Sequence, residues 1–395
     1  GFSSVIARAH LEGEPGWPEA IEWIDPEADL RRPFQRNLRM LERLAPEAVA
    51  GEERLLPAVA QELSGGEPAR AAEEYRELLA SPPVPDAPAR TGASPDRPLA
   101  GLIDGLLRER RRSPETLPYG LVTLLHANVY FGLRQAMVID SIRAAIDHLP
   151  RAGPFRERRR DLYLAALLHA VSVSTSGTSH FAQPRSVRKD IELNRVARRR
   201  LINIEVEFHR ALDAMRREWA ERPRDPGNRV FELSAEELLA PGGPLHGEDV
   251  GLVYLDPPYT ADNYSRFYHL LETLVAYDYP ELERRCGRVT RGRYPVRARR
   301  YSSDFCKPDR VEEAFRRVIE GTRALGARLL VSYGLGPGLL LKCWAAEGSR
   351  DPLARFRALF REQYPRVEIR QRALMHSGQG DSNRKVRELL VLCEA

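Results

Sequence analysis

Apolar residues along the chain fall first into helical spacing and later into short runs. Ser3–Leu11 carries a helical pattern that stops at Gly13-Glu14-Pro15-Gly16, where glycine and proline cannot prolong it. Helical stretches such as residues 38–44 follow, up to Ser81-Pro82-Pro83-Val84-Pro85-Asp86, whose prolines predict an extended linker. Between residues 99 and 221 the period is helical throughout: Ile139, Ile142, Ala145 and Ile146 share one face, and Leu162, Leu164, Leu167 and Leu168 lie on a second helix. After Arg229 the pattern shortens to apolar runs of strand length at 229–233, 251–255 and 328–332, with helices between them, which predicts a parallel α/β sheet. Residues 367–370 and 388–392 flank a polar loop, 376–385, and predict an antiparallel hairpin closing an edge of that sheet.

At 395 residues the chain is long enough for two or three units that each bury a core. Its 43% hydrophobic and 30% charged residues make a globular composition, and no apolar run approaches the roughly 20 residues of a membrane span. The first residues lack the basic lead and apolar core of a signal peptide and also an initiator Met, so a removed upstream segment is expected. The net charge is +5 and the pI about 9.1. Lysine occurs only at Lys189, Lys307, Lys342 and Lys385, beside abundant arginine. Arginine grips phosphate bidentately, which suits a nucleic-acid partner; a GC-rich genome produces the same bias, so motifs must decide. Cys286, Cys306, Cys343 and Cys393 form no CxxC pair and have no histidine at ligand spacing, which predicts reduced thiols of a cytoplasmic protein and no metal centre.

The motif that changes this picture is Asp256-Pro257-Pro258-Tyr259, directly after an apolar strand. Open α/β sheets bind ligands at the carboxyl ends of their strands. Consecutive prolines fix φ and extend the residue before each, which aims Asp256 and the Pro257 carbonyl into a pocket. Such paired acceptors suit an exocyclic aromatic amine, a poor nucleophile whose two hydrogens must be held as its nitrogen becomes tetrahedral. A base in a duplex must first be flipped out, at a cost on the order of a few kcal/mol. Stacking on Tyr259 offsets roughly 1–3 kcal/mol of it. The plainer alternative is a surface turn in which Pro-Pro ends an edge strand. The following segment, Tyr264 to Leu274, carries Phe267, Leu270, Leu271 and Leu274 as a helical stripe, with Arg266, His269 and Glu272 off it.

Together, Leu255-Asp256-Pro257-Pro258-Tyr259 and the segment from Tyr264 to Thr273 closely resemble the Dam-like, DPPY-type adenine DNA methyltransferases. The resemblance extends to Tyr130-Phe131-Gly132-Leu133-Arg134-Gln135, to Ile139-Asp140, to His180-Phe181-Ala182-Gln183, to Ser332-Tyr333 and to the C-terminal hairpin. It implies a Rossmann-like S-adenosylmethionine-dependent methyltransferase sheet with a C-terminal antiparallel hairpin and an inserted helical target-recognition domain. It further implies catalysis by Asp256, Pro257, Pro258 and Tyr259, direct transfer of the methyl group to N6 of a flipped adenine, and double-stranded DNA as partner. Tyr264, Ser265, Tyr268, His269, His180 and Gln183 are the expected substrate contacts; His269 has a bland alternative as a supporting or solvated residue.

The family's cofactor turn, of FxGxG type, is missing from its usual place. Phe2–Leu11 resembles the helix that follows the acidic cofactor residue, which puts Phe2 and Ser3 beside the donor. Ser234 stands near where the family often has an aspartate on the cofactor's adenine edge; Glu236 is the substitute, and Asp256 faces both ligands. Residues 1–24 are then a remnant of the cofactor half, 25–98 a variable insert or linker, 99–225 the recognition domain and 226–395 the catalytic half. An upstream segment or second subunit is expected to complete the donor site. Tyr333-Gly334-Leu335-Gly336-Pro337-Gly338 offers a permuted cofactor turn, although a sheet-edge loop fits its register better. Arginine clusters at 156–160, 195–200 and 288–300 suit phosphates or plain solvated faces. The loop 377–385 is expected to be flexible and near DNA. Two rivals remain: a nucleic-acid-binding subunit without turnover, and an enzyme acting on RNA adenine or on N4 of cytosine in DNA.

Overall fold

The computed structural model describes residues 2–11, 25–65, 70–80, 119–149, 156–178, 180–221, 227–377 and 383–394. The expected linker at 81–86 and the tip of the loop 377–385 lie outside the described residues. The chain groups into two compact units: Gly1–Val230 with Arg266–Arg299, and Phe231–Ser265 with Arg300–Ala395.

The first unit is helical: α1 (Phe2–Leu11), α2 (Pro26–Leu44), α3 (Pro46–Gly65), α4 (Arg70–Ala80), α5 (Leu121–Leu125), α6 (Leu133–Asp147) and α7 (Arg156–Ser174). A small hairpin, β1 (Gly177–Thr178) and β2 (Gln183–Pro184), then precedes α8 (Asp190–Arg200) and α9 (Ile204–Glu221). Asp25 starts α2 by accepting from the Glu27 and Ala28 amides, with Pro26 at the first turn, where its missing N–H costs nothing. Leu30, Leu38 and Leu41 of α2 pack on α6, so part of the expected insert belongs to the helical core. Glu52 makes that attachment specific: its carboxylate accepts from the Leu133 and Arg134 amides, each at 2.8 Å, and caps α6 from 81 residues away. A side chain at Gly132 would meet that carboxylate at 2.8 Å, which explains the glycine.

Helix α6 is buried on nearly every side, and its polar residues are satisfied. Asp140 accepts from the Val122 amide (2.9 Å), the Thr123 amide (2.8 Å) and the Tyr277 hydroxyl (2.6 Å). Burial pushes its pKa up to about 6 while the three donors pull it back, so it is ionised at neutral pH. Arg143 donates to the Leu274 and Val275 carbonyls, closing the end of a later helix.

The second unit begins with α10 (Ala235–Leu238) and β3 (Leu252–Leu255). From Arg266 the chain returns to the first unit, to which most of α11 (Tyr264–Ala276) and the hairpin β4 (Arg284–Arg285)/β5 (Arg288–Val289) belong. The second unit continues with α12 (Val311–Ala324), β6 (Arg328–Gly334), α13 (Leu339–Ala346), α14 (Pro352–Arg361), β7 (Arg366–Ser377) and β8 (Asn383–Glu394). Strand order is β3-β6-β8-β7. Only β3 and β6 are parallel; β8 lies antiparallel between β6 and β7, so the sheet is mixed and the C-terminal hairpin supplies half of it. The strand expected at 229–233 does not form: among the described residues it lies in no sheet, Leu233 is 46% exposed, and a β-strand exists only where a neighbouring strand forms a ladder with it. Val311, Ala314, Phe315, Val318 and Ile319 give α12 one apolar stripe, which meets Leu329, Val331 and Tyr333 of β6 in the core. Each of the Val, Leu, Ile and Phe side chains among them contributes about 1.5–3 kcal/mol on burial. No helix among the described residues is long and apolar enough to cross a membrane, and the four cysteines are free thiols.

Two outcomes are expected in the helical unit. Asp140→Asn turns an N–H toward donors and should cost about 2–3 kcal/mol in denaturant unfolding. His126 is buried beside His269 and Tyr130, with neither ring nitrogen hydrogen-bonded among the described residues. Burial, then the neighbouring His269 and Arg293, hold its pKa well below the ordinary histidine value. Above about pH 6.5 it is neutral folded or unfolded; below that the unfolded chain takes up a proton the folded one refuses, so stability falls with pH. His126→Leu should flatten that acid-side loss, and unchanged pH curves would refute the assignment.

Candidate active site

The Asp-Pro-Pro-Tyr turn leaves the carboxyl end of β3. Leu255 and Pro257 are buried, Asp256 is exposed, and Pro258 and Tyr259 are half-buried. Partial burial raises the Asp256 pKa above the usual aspartate value. The Tyr259 hydroxyl is also raised, by burial first and then by Glu388 and Asp256.

What holds the turn is the glycine-rich segment after β6. The Tyr259 carbonyl accepts from the Leu339 amide at 2.8 Å, and its ring stands edge-on to Tyr333 at 6.3 Å. Tyr333 is fully buried, and its hydroxyl accepts from the Leu340 amide at 3.0 Å, capping α13. A Cβ at Gly334 would meet Pro337 at 2.7 Å and the Tyr259 ring at 3.0 Å; one at Gly338 would meet the Gly334 carbonyl at 2.3 Å. This segment is therefore not a sheet-edge loop, because β6 is internal to the sheet. Nor do Gly334 and Gly338 leave a hollow of cofactor-turn type: the space beside them is filled by Pro337, Tyr259, Tyr333 and the Gly334 carbonyl. Sequence reasoning noticed the glycines but missed their role, since the atoms that require them come from a distant segment.

Other expected site residues divide by unit. In the sheet unit, Tyr264 is 42% exposed at the start of α11, where Asn263 caps the helix and binds the Ser265 amide and hydroxyl. Ser234 caps α10 in a reciprocal pair with Glu237, so its hydroxyl is engaged in the fold. Glu236 is half-buried and electrostatically coupled to the exposed Tyr301, a residue the sequence did not single out. In the helical unit, His180 meets Tyr268 with ring centroids 4.9 Å apart, and Gln183 is exposed on β2. His269 is 2% exposed, its Nδ1 3.0 Å from the Arg266 carbonyl and its ring against Tyr294 and Tyr130. It is a core residue here and not open to a substrate, because aromatic rings from other segments cover the side that the helical stripe leaves bare. Ser3 is exposed on α1, and the Phe2 side chain lies outside the described residues. No group of three or more potential metal ligands occurs among the described residues.

Residues 243–307 match the family of D12 class N6 adenine-specific DNA methyltransferases, a stretch that contains the Asp-Pro-Pro-Tyr turn and α11. The chain is 27% identical over 190 residues to the modification methylase LlaI of Lactococcus lactis subsp. lactis, covering 46% of this chain and 26% of that protein. It is 28% identical over 214 residues to the type II methyltransferase M.FokI of Planomicrobium okeanokoites, covering 54% of this chain and 28% of that one. The chain thus spans about a quarter of the length of these curated relatives. No solved structure matches it. The resemblance drawn from the motif is borne out by these likenesses.

The close packing of the turn yields a direct test. Gly338→Ala forces backbone apart and should lower unfolding free energy by about 2–4 kcal/mol, whereas Gly336→Ala, with open space around it, should change it by less than about 1 kcal/mol. Equal effects in denaturant titrations would disprove this account of the turn.

Proposed function

We propose that the chain carries the amine-binding side of an enzyme that methylates N6 of adenine in DNA. The observation that carries this reading is the anchored turn: Asp256 and the Pro257 carbonyl leave one strand end on a backbone locked to the Gly334–Gly338 turn, within a segment that matches an adenine methyltransferase family. In this reading the two acceptors hold the amine hydrogens and orient the nitrogen lone pair. Tyr259 stacks on the flipped base, and Tyr264 contacts the base or a flanking phosphate. In this reading the sheet is the catalytic part of a Rossmann-like fold and 99–225 an inserted recognition domain; that domain is completed by α1, by α2 and α3 from the expected insert and by residues 266–299, which corrects the linear division at 24, 98 and 225.

S-adenosylmethionine, when bound, would supply the methyl group as an electrophile. The described residues do not complete a site for it: Gly334 and Gly338 face the protein's own atoms and the Ser234 hydroxyl caps a helix. Within the sheet unit, Ser234, Glu236 and Asp256 would make at most one wall of such a site. The outer edge of β3 supports a second contributor. No strand pairs with it among the described residues, and Leu252 and Tyr254 are 46% and 58% exposed. An upstream segment or a partner subunit that adds strands there would bring the donor half. The rival reading, a binding subunit without turnover, draws on the same incompleteness.

The deciding experiment is transfer of labelled methyl from S-adenosylmethionine to mixed-sequence duplex DNA, by the chain alone and with its upstream segment or neighbouring gene product. Label on adenine N6 is expected, with Asp256→Ala reducing it at least about 10²-fold. No label in any combination, despite DNA binding, would establish the binding-subunit reading; label on cytosine or RNA would correct the substrate. Activity should also fall on acidification through a pKa above the ordinary aspartate value of about 3.9, because protonated Asp256 no longer accepts. An acid limb that persists unchanged in Asp256→Asn would assign it elsewhere.

A further inference from the structure

The helical unit holds a cavity of about 520 Å³ between the hairpins β1/β2 and β4/β5, lined by Arg266, Arg285, Arg288, Arg291, Thr290 and Gln183. Both walls are built. The Tyr130 hydroxyl lies between the Phe181 carbonyl (2.7 Å) and the Gly292 carbonyl (2.9 Å), and the Tyr294 hydroxyl donates to the Ala182 carbonyl. A side chain at Gly292 would strike the Tyr294 ring at 2.3 Å, so the loop can close only with glycine there. Arg266 sits over the face of Tyr294, its guanidinium carbon 5.0 Å from the ring centroid.

None of the four lining arginines meets a carboxylate among the described residues, unlike Arg299, which pairs with Asp278. The Thr290 hydroxyl, buried in the same wall, has no hydrogen-bond partner among them either. Four guanidiniums on a tyrosine-braced frame form a concentrated, uncompensated positive field. Planar guanidiniums match phosphate oxygens in pairs, and a cavity of this size admits a chain segment and more than a lone ion.

We propose that this pocket grips the phosphodiester backbone of duplex DNA, an inference that rests on the DNA reading above but requires no methyl transfer. Arg285, Arg288 and Arg291 each engage a backbone phosphate, and Arg266, braced on Tyr294, forms the floor of the same groove. Such contacts fix where the duplex lies without reading its sequence.

The test uses the full chain in an Asp256→Ala background, with anisotropy of a fluorescent mixed-sequence DNA duplex followed over a salt series. Alanine at Arg285, Arg288 and Arg291 together should make the plot of log binding constant against log salt shallower by about 0.9 for each phosphate no longer neutralised. Arg70→Ala, on an exposed arginine outside the pocket, should leave the slope unchanged. An unchanged slope in the triple variant, an equal change in the Arg70 control, no duplex binding at all, or a pocket-dependent slope seen only with duplex RNA would each overturn the proposal. A chain that binds DNA through the pocket yet methylates nothing keeps this inference and loses the catalytic one.

Discussion

Backbone must approach backbone between the Asp-Pro-Pro-Tyr turn and the turn after β6, and much of the sheet unit follows from that approach. The Leu339 amide reaches the Tyr259 carbonyl only because residues 334 and 338 carry no side chain. Tyr333 then serves two surfaces: its ring packs against Phe315 and Phe356 in the core, and its hydroxyl caps α13. The strand that aims Asp256 and the helix that packs behind it are thereby fixed by one aromatic residue. Rigidity at the strand end is what a pair of hydrogen-bond acceptors needs if they are to meet an amine without reorganising.

The helical unit is organised differently, by buried polar groups that bridge distant segments. Glu52, Asp140, Arg143 and Tyr130 each satisfy backbone groups that sequence separation alone would leave orphaned. Every one of these bonds ends a helix or fixes a loop. Burying such groups is costly unless all partners are present, so they specify one arrangement of helices where apolar packing would tolerate several.

Much of this was legible in the chain. The two prolines announced a stiff strand end, and two short runs flanking a polar loop announced the C-terminal hairpin, because both signals are local. The apolar run at 229–233 misled, since strand formation requires a neighbour that periodicity does not report. His269 was expected to contact substrate for a similar reason: its own helix shows one stripe that leaves it bare, while the rings of Tyr130 and Tyr294 that cover that side arrive from elsewhere. The glycines after β6 were visible as letters, but the constraint they answer sits in Tyr259, about 75 residues earlier.

The helical unit is discontinuous in sequence, and this sets an order of events during synthesis. Asp140 waits for Tyr277, and the core around α6 for Leu270, Leu271 and Leu274. These residues emerge only after the first strand of the sheet unit has been made. A chain paused on the ribosome before that point holds a buried carboxylate short of a donor and an apolar face without its cover. The two units are therefore bound to a shared schedule: neither can finish folding from a single uninterrupted stretch of nascent chain.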